Sequence, residues 1–184
     1  MKLVKEKAKS RLSIYLELSK LNILSLVLVS TFLGYYLAGP GIKSWSHLIL
    51  TLIGTSMTAS GSGALNHYLE RETDKQMVRT KNRPLPAGLI NPAEVLSFGV
   101  LMVLIGTTLL VSQINPLTGF IALLTSFLYI LVYTPLKKIT WLNTSIGSIP
   151  GALPIIGGWT ASSAVSYTHL RAHETREDRV CRRR

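Results

Sequence analysis

Apolar residues run along this chain in blocks too long, and too nearly free of charge, for the core of a soluble protein. Leu21 to Ala38 holds no charged residue and is long enough to cross a hydrocarbon layer of roughly 30 Å. Leu48 to Leu69, Pro92 to Val111, Leu117 to Tyr133 and Asn143 to Trp159 repeat the pattern. The sequence therefore predicts an all-α integral membrane protein with about five transmembrane helices. Gly39, Pro40 and Gly41 form a compact turn after the first block, Pro92 suits the first turn of a helix, and Pro135 stops the fourth block. Pro150, Pro154 and several glycines predict a kinked or partly unwound fifth span, which needs protein neighbours for its freed backbone groups. Ser60, Gly61, Ser62, Gly63 and Ala64 let helices approach closely, or leave room for an apolar ligand. No internal repeat stands out.

The formal charge of +11 on 184 residues raises the question of nucleic acid, but its distribution speaks for topology. Six Lys/Arg residues lie in the first twenty positions, five follow span two, and Lys137 and Lys138 follow span four. Against these thirteen, the opposite loops carry only Lys43. The positive-inside rule puts residues 1–20, the loop after span two and the Lys137 loop in the cytoplasm, as expected of a multi-pass protein in a bacterial-type inner membrane. No continuous basic face with aromatic or helical readers is present, so nucleic acid is set aside. The basic leader (Lys2, Lys5, Lys7, Lys9, Arg11) has no small-residue cleavage pattern and does not read as a cleavable signal. The lone cysteine, Cys181, supports neither a disulfide framework nor a thiolate metal site.

Candidate chemistry gathers in NHYLERETDKQMVRTKNRPLPAG, Asn66 to Gly88, where the second apolar block gives way to charge. Steps of four place Asn66, Glu70 and Asp74 on one helical face, where their oxygens can converge on a hard cation. Arg71, Lys75, Arg79, Lys81 and Arg83 follow with the sign that phosphate oxygens need. Each member also has a plain structural reading. Glu70 and Asp74 can pair internally with Arg71 or Lys75, Asn66 can hydrogen-bond between helices, and Glu72 points to solvent. His67 and Tyr68 are expected on other faces as packing or interfacial residues. In YTPLKKITWLN, Tyr133 is an interfacial anchor and Lys137 a topology determinant, or both grip a phosphate. Spacing, membrane depth and adjacent cations together favour a divalent metal and diphosphate site. Mg²⁺ suits it, because it takes a few carboxylates plus substrate phosphates. Cations there would stabilise a departing diphosphate, while the helices shelter an isoprenoid and its allylic cation from water.

NHYLERETDKQMVRTKNRPLPAG and YTPLKKITWLNTSIGSIPGALPIIGGW resemble the protoheme IX farnesyltransferases, or heme O synthases, of the UbiA-type intramembrane prenyltransferase superfamily. Met77 to Leu85 carries the resemblance to this branch; the N-x-x-x-[DE]-x-x-x-D spacing selects only the superfamily. The resemblance implies farnesyl transfer from farnesyl diphosphate to the 2-vinyl group of heme B, giving heme O. It implies that Asn66, Glu70 and Asp74 form the first catalytic and metal motif. Lys20, Arg79, Lys81, Arg83, Tyr133 and Lys137 would bind diphosphate, although Leu21 stands where Pro usually follows the lysine. Implied partners are the bilayer, heme B, farnesyl diphosphate, and heme A synthase or terminal oxidase assembly factors. Another UbiA-type enzyme with a quinone or chlorin acceptor is the nearest alternative, and a transporter or scaffold with no diphosphate dependence is a rival of a different class.

Two expectations concern extent. Such enzymes have about nine helices and a second Asp-rich motif, so residues 21–164 correspond to an N-terminal part of the fold, and the 184-residue product is expected to be inactive alone. Val165 to Thr175, VSYTHLRAHET, resembles a translated transposase-type sequencing adapter, so residues 165–184 are expected to be non-native. Without them six basic and three acidic residues disappear and the net charge falls from +11 to +8. The alternative is a genuine basic tail. His169 and His173 are not expected to bind metal.

Overall fold

A computed structural model describes residues 10–39, 41–42, 44–136 and 146–163, and all the regular structure among them is helical. The first helix, α1 (Arg11–Leu18), starts at Ser10, whose hydroxyl accepts from the Ser13 N–H at 3.3 Å. It meets α2 (Leu21–Leu37) at a bend of 54°. Ser44 caps α3 (Trp45–Gln76) in the same way, through the His47 N–H at 3.3 Å. Asn91 caps α4 (Pro92–Gln113), with proline at its first turn as the sequence predicts. Asn115 caps α5, which runs from Pro116 to Leu136 and widens to π-helix over Leu128–Tyr133. The last helix, α6, covers 146–163.

Three of these helices, α3, α4 and α5, are long and apolar enough to cross a membrane, and the bent α1–α2 pair reaches the same standard when its two helices are taken as one span. The fifth expected span folds as α6, but four glycines and two prolines dilute its apolar content, and it does not reach that standard among the described residues. Nor is it unwound: it is helical across both Pro150 and Pro154.

Side chains sort by size and polarity in the sense opposite to a water-soluble core. Large apolar groups such as Leu101, Leu104, Phe120 and Leu123 are exposed, whereas Thr31, Thr51, Thr58 and Ser62 are buried. Lipid solvates leucine as well as a protein interior does, so burial gives apolar side chains no advantage, and small residues that bring helices together take the interior. The buried hydroxyls are satisfied within their own helices: Thr31 donates to the Val27 carbonyl at 2.9 Å and Thr58 to that of Gly54 at 2.9 Å. Between helices the closest approaches fall on glycine. A Cβ on Gly61 would lie 2.6 Å from the Gly99 carbonyl oxygen, joining α3 to α4. Cβ atoms on Gly34 and Gly158 would each lie 2.0 Å from a carbonyl oxygen, of Ile155 and Thr31, clamping α2 onto α6.

Gly34→Val therefore destabilises the fold by about 1–3 kcal/mol, because neither backbone can yield without breaking helix geometry. Thermal unfolding in detergent measures this; an unchanged midpoint contradicts the clamp.

Candidate active site

α3 outruns the apolar block that begins it, and its last three turns carry the candidate ligands. Asn66, Glu70 and Asp74 are all buried, at 2%, 6% and 4% exposure, on the one face that four-residue spacing dictates. Carboxylates buried to this degree require partners. The Arg83 guanidinium supplies one, lying 2.7 Å from Asp74 Oδ2 and 4.0 Å from Glu70 Oε2. Neither Arg71 nor Lys75 serves the carboxylates: Lys75 Nζ bonds both oxygens of exposed Glu72 at 3.1 Å, and Arg71 lies over the Tyr68 ring at 4.5 Å.

Arg83 reaches back because residues 77–91 form a chain of tight turns. Lys81 N–H bonds the Met77 carbonyl at 3.0 Å, Arg83 N–H that of Thr80 at 3.0 Å, and Leu89 N–H that of Pro84 at 2.9 Å. Buried Thr80 ties these turns to the end of α3, donating to the Asp74 carbonyl at 3.0 Å. Buried Leu85 packs with Ile14, Leu18, Ala64 and Val95 in one apolar cluster.

Asn66 has partners on both sides. Its Oδ1 accepts from Lys20 Nζ, and its Nδ2 donates to Thr134 Oγ1 at 2.9 Å. Lys20 stands at the α1–α2 bend with φ 49°, the left-handed region that favours glycine, and it is the one non-glycine residue there among the described residues. Leu21 in place of proline leaves the lysine in reach of Asn66. Thr134 in turn donates to the Tyr129 carbonyl, five residues back, at 2.8 Å, within the π-helical stretch. Tyr129 stacks on Tyr133 with centroids 5.7 Å apart, and its hydroxyl is 3.5 Å from Lys20 Nζ.

The fold thus brings together Lys20, Asn66, Glu70, Asp74 and Arg83, with Tyr133 one ring away. Arg79 and Lys81 stay exposed on the turns, and among the described residues their side chains make no hydrogen bond or ion pair. Lys137 lies outside the described residues. Thr134, Tyr129 and Thr80 were not foreseen; the YT-x-LK element contains Thr134, but the π-helix that turns its hydroxyl toward Asn66 leaves no mark in hydropathy. His67 is buried as the packing residue expected, but not on a separate face. It sits only about 20° around the helix from Asp74, and it is buried within electrostatic reach of Lys20, Arg83 and Asp74, with both ring nitrogens unpartnered.

Beside this cluster opens a cavity of about 500 Å³, within the range of small-molecule sites. Lys20, Tyr129 and Tyr133 line one end, and Thr31, Thr118 and Gly157 the other. Its wall is rich in Thr and Ser, and several of those hydroxyls already bond inside the protein: Thr125 to the Ile121 carbonyl at 2.7 Å, and Ser62 to Ser126 at 2.9 Å. An apolar chain that enters does not strand these donors. Two carboxylates and an amide oxygen on one face suit a hard divalent cation that draws further ligands from phosphate. Among the described residues no three His, Cys, Asp or Glu side chains form a metal cage by themselves.

The sequence pattern of the UbiA prenyltransferase family matches residues 27–171. The chain is similar to a protoheme IX farnesyltransferase of Salinibacter ruber, 46% identical over 149 residues covering 81% of this chain and 53% of the relative. It is 39% identical over 158 residues to one of Solibacter usitatus, covering 81% and 54%, and 40% identical over 146 residues to the human mitochondrial enzyme, covering 79% and 33%. The chain spans about half the length of the curated bacterial relatives it matches. No solved structure matches.

Arg83→Met leaves Asp74 buried without the guanidinium 2.7 Å from it, so it costs about 3 kcal/mol of stability. Adding Asp74→Asn restores part of that loss. Equal unfolding midpoints for the single and double variants speak against the ion pair.

Proposed function

The chain belongs to the UbiA prenyltransferase family, and from that premise we propose that it serves transfer of a farnesyl group from farnesyl diphosphate to a vinyl group of heme B. The observation that carries this reading is the buried Asn66, Glu70 and Asp74 face, with Arg83 on Asp74 and with Asn66 bonded to Lys20, which lines an apolar cavity. The names of the relatives, protoheme IX farnesyltransferases, support the donor and the acceptor.

In this reading Asn66, Glu70 and Asp74 would hold Mg²⁺, which draws the diphosphate oxygens and stabilises negative charge on them. Arg83 is already within bonding distance of this face, and Lys20 stands at the end of the cavity where the diphosphate would lie. Their fixed charges favour the diphosphate as it departs. The bond from the isoprenoid's first carbon to oxygen breaks, both electrons leaving with the diphosphate. The vinyl π pair of the acceptor forms the new carbon–carbon bond, and water or loss of a proton discharges the cation left on the acceptor. Tyr129 and Tyr133 offer stacked π faces at the head of the cavity, suited to an allylic cation. The cavity walls keep bulk water from the cation before the acceptor reaches it.

The same reading sets the site at the cytoplasmic face of a bacterial-type inner membrane, with the N-terminus on that side. It also holds that the second Asp-rich motif is supplied from outside the 184 residues, and that residues 165–184 take no part.

Farnesyl diphosphate is expected to bind the chain in nanodiscs with Mg²⁺ and to be released by EDTA. Metal-independent binding, or none, counts against the reading. When the protein is expressed at the full length of its relatives, Asp74→Ala is expected to abolish heme O formation, a loss of at least about 10²-fold, while membrane insertion is kept. Unchanged turnover removes Asp74 from the site.

A further inference from the structure

Neighbouring glycines on α6 have opposite surroundings. Gly158 is packed against the backbone of α2, where a Cβ would meet the Thr31 carbonyl oxygen at 2.0 Å and the Tyr35 nitrogen at 2.9 Å. At Gly157 the same added atom would meet only Ile121 Cγ2, at 3.6 Å, an ordinary contact. Gly158 joins helices, whereas Gly157 lines the cavity and leaves it open.

The end of the cavity at Gly157 is built of pinned helices. Thr118 and Thr160 hydroxyls bond at 3.0 Å, and Asn115 Nδ2 donates to the Thr160 carbonyl at 3.0 Å, fixing the start of α5 to α6. The Gly34 and Gly158 contacts fix α2 to α6 from the other side. Buried Tyr35, Leu48 and Ala161 form a separate apolar cluster. From Lys20 to Thr31 along α2, and from Gly147 to Gly157 along α6, the cavity wall is about 15 Å long at 1.5 Å per residue. That depth matches a short isoprenoid rather than a long polyprenyl chain.

We infer that Gly157, with Ile121 opposite, is the specificity-determining position that sets how long an isoprenoid the donor can carry. This rests on the prenyl diphosphate reading of the same cavity. A side chain at residue 157 takes up the space of the chain's terminal isoprene unit, because helices held on both sides cannot move apart for it. Removing the Ile121 side chain extends the same space.

The test compares binding of prenyl diphosphates of ten, fifteen and twenty carbons, with Mg²⁺, to the chain in nanodiscs. Gly157→Leu is expected to weaken the fifteen-carbon ligand relative to the ten-carbon one by about 10- to 200-fold. Ile121→Ala is expected to improve the twenty-carbon ligand relative to the fifteen-carbon one. Because Ile121→Ala adds no bulk, it reads the same end of the cavity even where Gly157→Leu fails to fold. Unchanged ratios in folded Gly157→Leu, or in Ile121→Ala, overturn the inference and leave the prenyltransferase reading standing. Absence of binding by the unsubstituted chain overturns that reading, and this inference with it.

Discussion

Two distant parts of the chain converge on the side chain of Asn66. Its carbonyl oxygen takes the Lys20 ammonium from the α1–α2 bend, and its amide nitrogen gives a hydrogen bond to Thr134 at the end of α5. An amide buried to 2% exposure at the edge of a bilayer is costly when unpaired, so the requirement that both ends be satisfied fixes the helices around it. Lys20 is held in left-handed backbone geometry where a lysine is normally disfavoured, and the π-helix of α5 carries Thr134 to its acceptor five residues back. Both distortions occur at the head of the cavity, where strain and irregular helix can be retained by a densely bonded surround.

Helix interfaces deeper in the membrane obey a different constraint. There the approach of one backbone to another is limited only by Cβ atoms, and glycine at residues 34, 61, 99, 106 and 158 removes them. Close helices gain dispersion contacts that lipid cannot match, and they also make the cavity rigid. Such a cavity discriminates by size, because misfit cannot be relieved by helix movement. Glycine 157 departs from this use, since it faces open space rather than a neighbouring helix. Adjacent residues of one type thus have separate roles, one closing the bundle and one keeping it hollow.

Helix existence and the ligand face were legible because each follows from a periodicity. Blocks nearly free of charge mark α2 to α5, and four-residue spacing places Asn66, Glu70 and Asp74 together wherever that segment is helical. The choice of counter-ion was not legible. Five cations follow the motif in sequence, but only Arg83 meets the carboxylates, and it does so because the turns over 77–91 fold back while Arg71 and Lys75 find partners at the surface. Arg71 stands three residues before Asp74, a step at which side chains can meet, yet it lies over Tyr68 and beside Glu72 instead. The face of His67, though not its packing role, was misjudged: measured from Asn66 it is a little over a quarter turn away, but measured from Asp74 it is almost in line. The helix over 146–163 was foreseen in position and is not unwound, since prolines that break an isolated helix are accommodated when glycines bring a second helix against it.

Helix length connects the fold to its chemistry. At 1.5 Å per residue, about 20 residues traverse roughly 30 Å of hydrocarbon, so a helix that starts at Trp45 reaches the far surface near Leu65. The 32 residues of α3 exceed that length, and the excess begins at Asn66 and ends just past Asp74. Its three candidate ligands therefore climb from the edge of the hydrocarbon into the polar interface, neutral amide first and carboxylates after. An amide is the cheapest of the three to keep at the apolar boundary, and carboxylates gain from the higher dielectric beyond it. An amphiphilic donor needs the same gradient, with its diphosphate in the interface and its apolar chain in the bundle. The order Asn, Glu, Asp along a single overlong helix meets both demands, with no loop needed to carry the ligands.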